Sequence, residues 1–152
     1  MPGLEKEMKN ILKYLLVVLL CFVFFNMTKP AWAYEADEKH AIDIELEKRI
    51  EADSSTFGIM GAYTQATFEW GKLLNQNYQA LMQKLNEEDQ ARLRETQRAW
   101  IKYRDLEFAF SNQYWGGFQG TMYRVVAGVY QANVVRDRAL RLESYLKYSA
   151  VP

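Results

Sequence analysis

With 152 residues and no net formal charge, the chain has room for one domain and lacks the strongly positive field that holds nucleic acid. Nearly half of its residues are hydrophobic and 14% are aromatic, which is enough apolar surface for a core and excludes disorder over most of its length.

In chain order, the first element reads as an export signal. Lys6, Lys9 and Lys13 make a basic start, residues 14–25 form an unbroken apolar run, and Pro30-Ala31-Trp32-Ala33 has the small-x-small form that signal peptidase accepts. Cleavage after Ala33 leaves residues 34–152 as the mature domain, periplasmic or secreted. An uncleaved anchor would require roughly 17 to 25 apolar residues, more than this run offers, so membrane contact is expected only through this segment and only if it stays uncleaved. Cys21, the only cysteine, follows Leu20 where a lipoprotein signal has a small residue, which argues against lipidation. The mature chain then has no cysteine, and therefore no disulfide and no thiolate metal site. Losing Lys6, Lys9, Lys13 and Lys29 with Glu5 and Glu7 leaves 15 basic and 17 acidic residues.

A short helix is expected over 38–51, where Ile42, Leu46 and Ile50 recur at steps of four. Residues 35–53 carry eight acidic against three basic side chains. Such a segment suits either a cationic partner or plain solvation. Asp53-Ser54-Ser55-Thr56 reads as a loop ending in a capping residue. A long amphipathic helix follows over 61–85, its apolar face formed by Tyr63, Ala66, Trp70, Leu74, Tyr78, Leu81 and Leu85. Asn86 caps a third helix over 87–114, whose acidic first turn suits the positive end of the helix dipole. The short connection predicts that the second and third helices pack as an antiparallel hairpin.

The third helix contains Gln97-Arg98-Ala99-Trp100-Ile101-Lys102-Tyr103-Arg104-Asp105, with Leu93, Trp100, Arg104 and Phe108 on one stripe. This stripe is expected to be the central packing strip, with Arg104 reaching an acid on a neighbouring helix. Gly116, Gly117 and Gly120 end the helix in a mobile loop bearing Trp115 and Phe118. Thr121 is expected to cap the last helix, whose inner face reads Met122, Val125, Val129, Ala132, Val135, Ala139, Leu142 and Leu146. The chain is thus all-α, an up-down bundle of three long helices with a short N-terminal helix beside it.

Little here resembles a reaction centre. His40, the only histidine, reads as a surface residue, no Glu-x-x-His pair is present, and no Gly-x-Ser-x-Gly elbow occurs. Glu69, Asp105 and Glu107 could pair for acid and base work, but ordinary ion pairing is the commoner fate of such carboxylates. The glycines of residues 116–120 match no phosphate-binding fingerprint and mark either a helix-to-helix turn or a recognition loop. No enzyme activity, cofactor or metal is expected.

The blocks Ser55-Thr56-Phe57-Gly58-Ile59-Met60, Trp70 with Leu74-Asn75-Gln76-Asn77-Tyr78 and Leu81, residues 97–105, Gly120-Thr121 and Arg138-Ala139-Leu140-Arg141-Leu142 stand in an order that resembles the LprI-like lysozyme-inhibitor family. The most specific piece is Trp100 with Tyr103, Arg104 and Asp105. Family positions that commonly hold cysteine are Phe108, Tyr130 and Ala62 here. The resemblance implies that a disulfide between the last two helices is replaced by a Phe108–Tyr130 contact. It also implies lysozyme, or another basic envelope protein, as partner, with a non-inhibitory envelope scaffold as the alternative. Lysozymes use two carboxylates in a cleft. The chemistry therefore points to Trp115, Phe118 and Gln119 as a plug and to Asp43, Glu47 and Glu51 as acidic docking residues.

Overall fold

The computed structural model describes residues 39–149. The expected export signal and its expected cleavage point lie outside them. Within them the chain forms α1 (Ala41–Ala52), α2 (Thr56–Lys84), α3 (Glu87–Gly116) and α4 (Met122–Tyr148), with no strand among the described residues. The all-α architecture of three long helices and one short one is as expected.

Side-chain caps set most of the boundaries. Ser55 Oγ accepts from the Gly58 amide at 3.0 Å, so α2 begins at Thr56, five residues before the expected start at Gly61. Asn86 Oδ1 accepts from the Asp89 amide at 2.9 Å and starts α3, as its sequence suggests. Gln90 then reaches back to the carbonyls of Met82 and Leu85, satisfying the open end of α2. Two expectations fail here. Thr121 makes no capping hydrogen bond, and its helical backbone leaves no geometry for one. His40 is the N-cap of α1, its Nδ1 accepting from the Ile42 amide at 3.1 Å.

Helix pairing also departs from the expected hairpin. The most extensive contact is between α2 and α4, followed by α3 with α4 and α1 with α2. The Leu85-Asn86 connection reverses the chain, but α3 lies along α4 and not along α2. Two landmarks show that α2 and α4 run parallel. A Cβ at Gly128 would sit 3.8 Å from that of Tyr63, and Asn77 Nδ2 donates to the Ala139 carbonyl at 3.2 Å. Buried Ala62 and Ala66 on one side, with Ala127, Ala132 and Ala139 on the other, allow the two backbones to approach closely. α3 runs opposite to α4, as the Gln97–Arg138 and Asn112–Gln131 hydrogen bonds mark.

The core follows from this pairing. Trp70 and Leu142 are its largest fully buried side chains, joined by Ala66, Leu74, Leu81, Leu93, Val135 and Ala139, with Ile42 and Leu46 of α1 packed against them. The stripe on α3 lies at the edge of this core: Leu93 belongs to it, and Trp100 and Phe108, partly buried, pack against it. Because α3 has one main neighbour, only Leu93 and Ser111 are buried on it, while Tyr103, Leu106, Phe110 and Tyr114 face outward. Met122, expected inside, is 61% exposed.

Candidate functional site

Parallel α2 and α4 place the start of α2, the end of α3 and the start of α4 at one end of the bundle. An aromatic cluster forms there. Trp115 occupies the last turn of α3, not the loop, and stacks on Tyr123 at 6.2 Å and on Tyr130 at 5.7 Å between ring centroids. Phe118 stacks on Tyr123 at 4.8 Å, and Tyr114 meets both Trp115 and Phe118 edge-on. Each such pair contributes about 0.5–1.5 kcal/mol beyond burial, so the cluster fixes the α3–α4 connection.

In the connection itself, Gly117 and Phe118 donate to the carbonyls of Tyr114 and Trp115. Gly120 has φ 110°, a conformation that side chains other than glycine's rarely permit. A recess of about 180 Å³ opens between Trp115, Gly116, Phe118, Gly120, Thr121 and Arg124. Of the three plug candidates, Phe118 and Gln119 are exposed, whereas Trp115 is half-buried and committed to packing. Sequence reasoning overlooked Tyr123. Its seven-residue spacing from Tyr130 places both on one face of α4, and that was the available signal.

The acidic candidates divide in the same way. Asp43 is engaged internally, accepting two hydrogen bonds at 3.0 Å and one at 2.7 Å from Arg136 of α4. That carboxylate holds the Arg136 guanidinium more firmly charged than usual. Arg136 also lies 5.4 Å above Trp70, whose ring meets His40 at 4.4 Å. His40 and Asp43 are thus clamp residues, and the expectations of a surface histidine and a docking Asp43 are corrected. Glu47 and Glu51 are exposed on α1.

The α1–α2 turn is shaped by Asp53, whose carboxylate accepts from the Ser55 amide at 3.0 Å and is held below the ordinary carboxylate range by hydrogen bonds from Ser55. A Cβ at Gly58 would collide with the Asp53 side chain and carbonyl. Gly58→Ala is therefore expected to destabilise the domain by about 1–3 kcal/mol despite the better helix propensity of alanine, because backbone has to move. Urea unfolding of the two proteins checks this.

On α3, Trp100 lies beneath two guanidinium groups, Arg104 at 5.4 Å and Arg138 at 6.0 Å. Arg138 donates twice to Gln97 Oε1, at 3.0 and 2.9 Å, and burial lowers its pKa. Arg104 does not reach a neighbouring helix. Its long side chain folds back onto the adjacent Asp105, at 2.9 and 2.6 Å, in an exposed pair worth little to stability. The expected Phe108–Tyr130 contact is absent as well. Phe108 packs against the core and Tyr130 turns to Trp115, so a different aromatic pair joins the last two helices. Glu69 is occupied by Lys72 at 2.9 Å and Gln65 at 2.8 Å. Among the described residues, no three His, Asp or Glu side chains gather as a metal would require. No helix among those residues is long and apolar enough to cross a membrane.

Residues 48–142 match the family model described as lysozyme inhibitor LprI. No curated protein matches the chain significantly. Among solved structures, an uncharacterised protein from Burkholderia thailandensis is similar, with a TM-score of 0.70 and 25% identity. The match covers 75% of this chain and 57% of that one, so this chain spans little more than half the length of that relative.

Proposed function

The chain belongs to the LprI lysozyme-inhibitor family, and from that premise we propose that it is exported to the cell envelope and inhibits a lysozyme by binding it. Family membership carries the reading. The geometry adds a surface that suits it. α1 runs antiparallel to α2, so the exposed Glu47 and Glu51 lead towards the same end of the bundle as Phe118 and Gln119. An acidic helix suits the rim of a basic enzyme, and an exposed aromatic beside it suits an anchor in a cleft. Trp115 acts from behind, holding Phe118 in place through Tyr123.

Titration of the purified protein into several lysozymes, read as the rate of cell-wall lysis and as binding, is the test. Phe118→Ala is expected to weaken inhibition about thirtyfold, as loss of an interface anchor does. The Glu47→Lys, Glu51→Lys double variant is expected to slow association about tenfold at low salt and to flatten its salt dependence. Unchanged lysis at micromolar protein for every lysozyme class would replace inhibition with a non-inhibitory envelope scaffold.

A further inference from the structure

Charge is distributed very unevenly along the bundle. Residues 54–68 and 108–135, which form the start of α2, the end of α3 and the start of α4, contain a single charged side chain, Arg124, in a chain with 19 basic and 19 acidic residues. Both stretches meet at one end: Tyr63 lies against Gly128, and Trp115 against Tyr123. Phe57, Phe110, Phe118 and Met122 are exposed there. Arg124 is exposed, lines the recess beside Phe118 and Gly120, and has no carboxylate partner among the described residues. By contrast, Lys72, Arg104, Arg136 and Arg138, which lie over aromatic rings, each have a defined polar partner: Glu69, Asp105, Asp43 and Gln97.

We propose that Arg124 is the residue that enters the lysozyme cleft and pairs with its ionised catalytic carboxylate. The inference rests on the lysozyme reading above and supplies the contact that would make binding inhibitory. A guanidinium offers two parallel N–H groups to a carboxylate, and the side chains that line the recess around it, Trp115, Phe118 and Thr121, supply no competing acid. Retaining glycosidases hold their two carboxylates close together in a cleft, with one kept ionised and the other protonated by its apolar surroundings. Charge complementarity is then twofold. The acidic residues of α1 match a basic enzyme's rim, and the lone cation of the aromatic α3–α4 connection matches the acid at the bottom of its cleft.

The test is a double-mutant cycle on the full-length protein. Arg124→Ala and Arg124→Lys are compared with the parent against an inhibited lysozyme and against the same enzyme with its catalytic Asp replaced by Asn, with helical circular dichroism as the control for folding. Arg124→Ala should weaken binding to the native enzyme at least about thirtyfold, with Arg124→Lys recovering only part. Parent binding to the Asp-to-Asn enzyme should fall by a similar factor, and the two losses should not add. Inhibition by Arg124→Ala equal to the parent's would overturn the Arg124 contact and leave the lysozyme reading standing. Losses that simply add would also overturn it, by placing Arg124 away from the carboxylate. A parent protein that binds no lysozyme removes the reading itself. Sedimentation with phosphatidylcholine vesicles that is abolished by Phe118→Ser, without lysozyme binding, would assign this end to a membrane and overturn the proposal.

Discussion

Trp70→Ala is expected to lower the unfolding free energy by about 3–5 kcal/mol, the cost of emptying a large aromatic site in a core that relaxes only partly. Trp70 is 1% exposed. Its ring is also where three helices meet. α2 supplies it, α1 covers it with His40, and α4 lays Arg136 across it at 5.4 Å. Removing the indole therefore does more than open a cavity. The guanidinium loses its apolar seat, and the Arg136–Asp43 pair that ties α1 to α4 loses its support. Thermal unfolding should show a reduced midpoint, and hydrogen exchange should show α1 losing protection before α3. A loss below about 1 kcal/mol would mean that the site collapses without consequence and that Trp70 is not the keystone of the three-helix junction.

Leu142→Ala is the second large effect, expected at about 2–5 kcal/mol. Leu142 is fully buried and belongs to the cluster in which Leu81 of α2 and Leu93 of α3 meet α4. Because α2 and α3 do not pair along their length, this residue of α4 is a principal bridge between them near their connection. Its truncation should loosen both partners at that end and leave the aromatic end intact. Chemical denaturation gives the magnitude. Tryptophan fluorescence localises it, since Trp100 should report the change and Trp115 should stay native-like until global unfolding.

Helix existence and inward faces were legible in the sequence because steps of three and four fix which side of a helix is apolar. Trp70, Leu74 and Leu81 on α2, and Val135, Ala139 and Leu142 on α4, are buried as their spacing requires. Ser55 and Asn86 announced their helices through side-chain chemistry. Periodicity does not say which helix an apolar face meets, and the parallel α2–α4 pairing was lost there. Its one trace was the run of alanines on both faces. The α3 strip packs on the core through Leu93, Trp100 and Phe108 but lies less centrally than expected, for a related reason: tryptophan, tyrosine and arginine at helical spacing look the same on a central helix and on one with a single neighbour. At the candidate site, the glycines around Phe118 mark the turn between α3 and α4, but they do not show that Trp115 belongs to the helix before it. Asp43 could not be told from Glu47 or Glu51, because the arginine that claims it lies 93 residues further along the chain.

The parallel alignment of α2 and α4 also governs how the molecule comes into being. The hydrogen bond from Asn77 to the Ala139 carbonyl spans 62 residues, and the whole of α3 has to be laid down between the two helices that share the main core. A hairpin of neighbouring helices could bury its apolar face as soon as the second helix formed. Here α2 can be covered early only on the side that α1 takes, and the face that holds Trp70 against Arg136, Val135 and Ala139 waits for the last helix to arrive. Loop-closure entropy is spent before the principal contacts form, which sets this bundle towards the slow side of helical folding. A chain stopped before α4 has no core to close, so protection from proteolysis comes to the molecule only when its final helix docks.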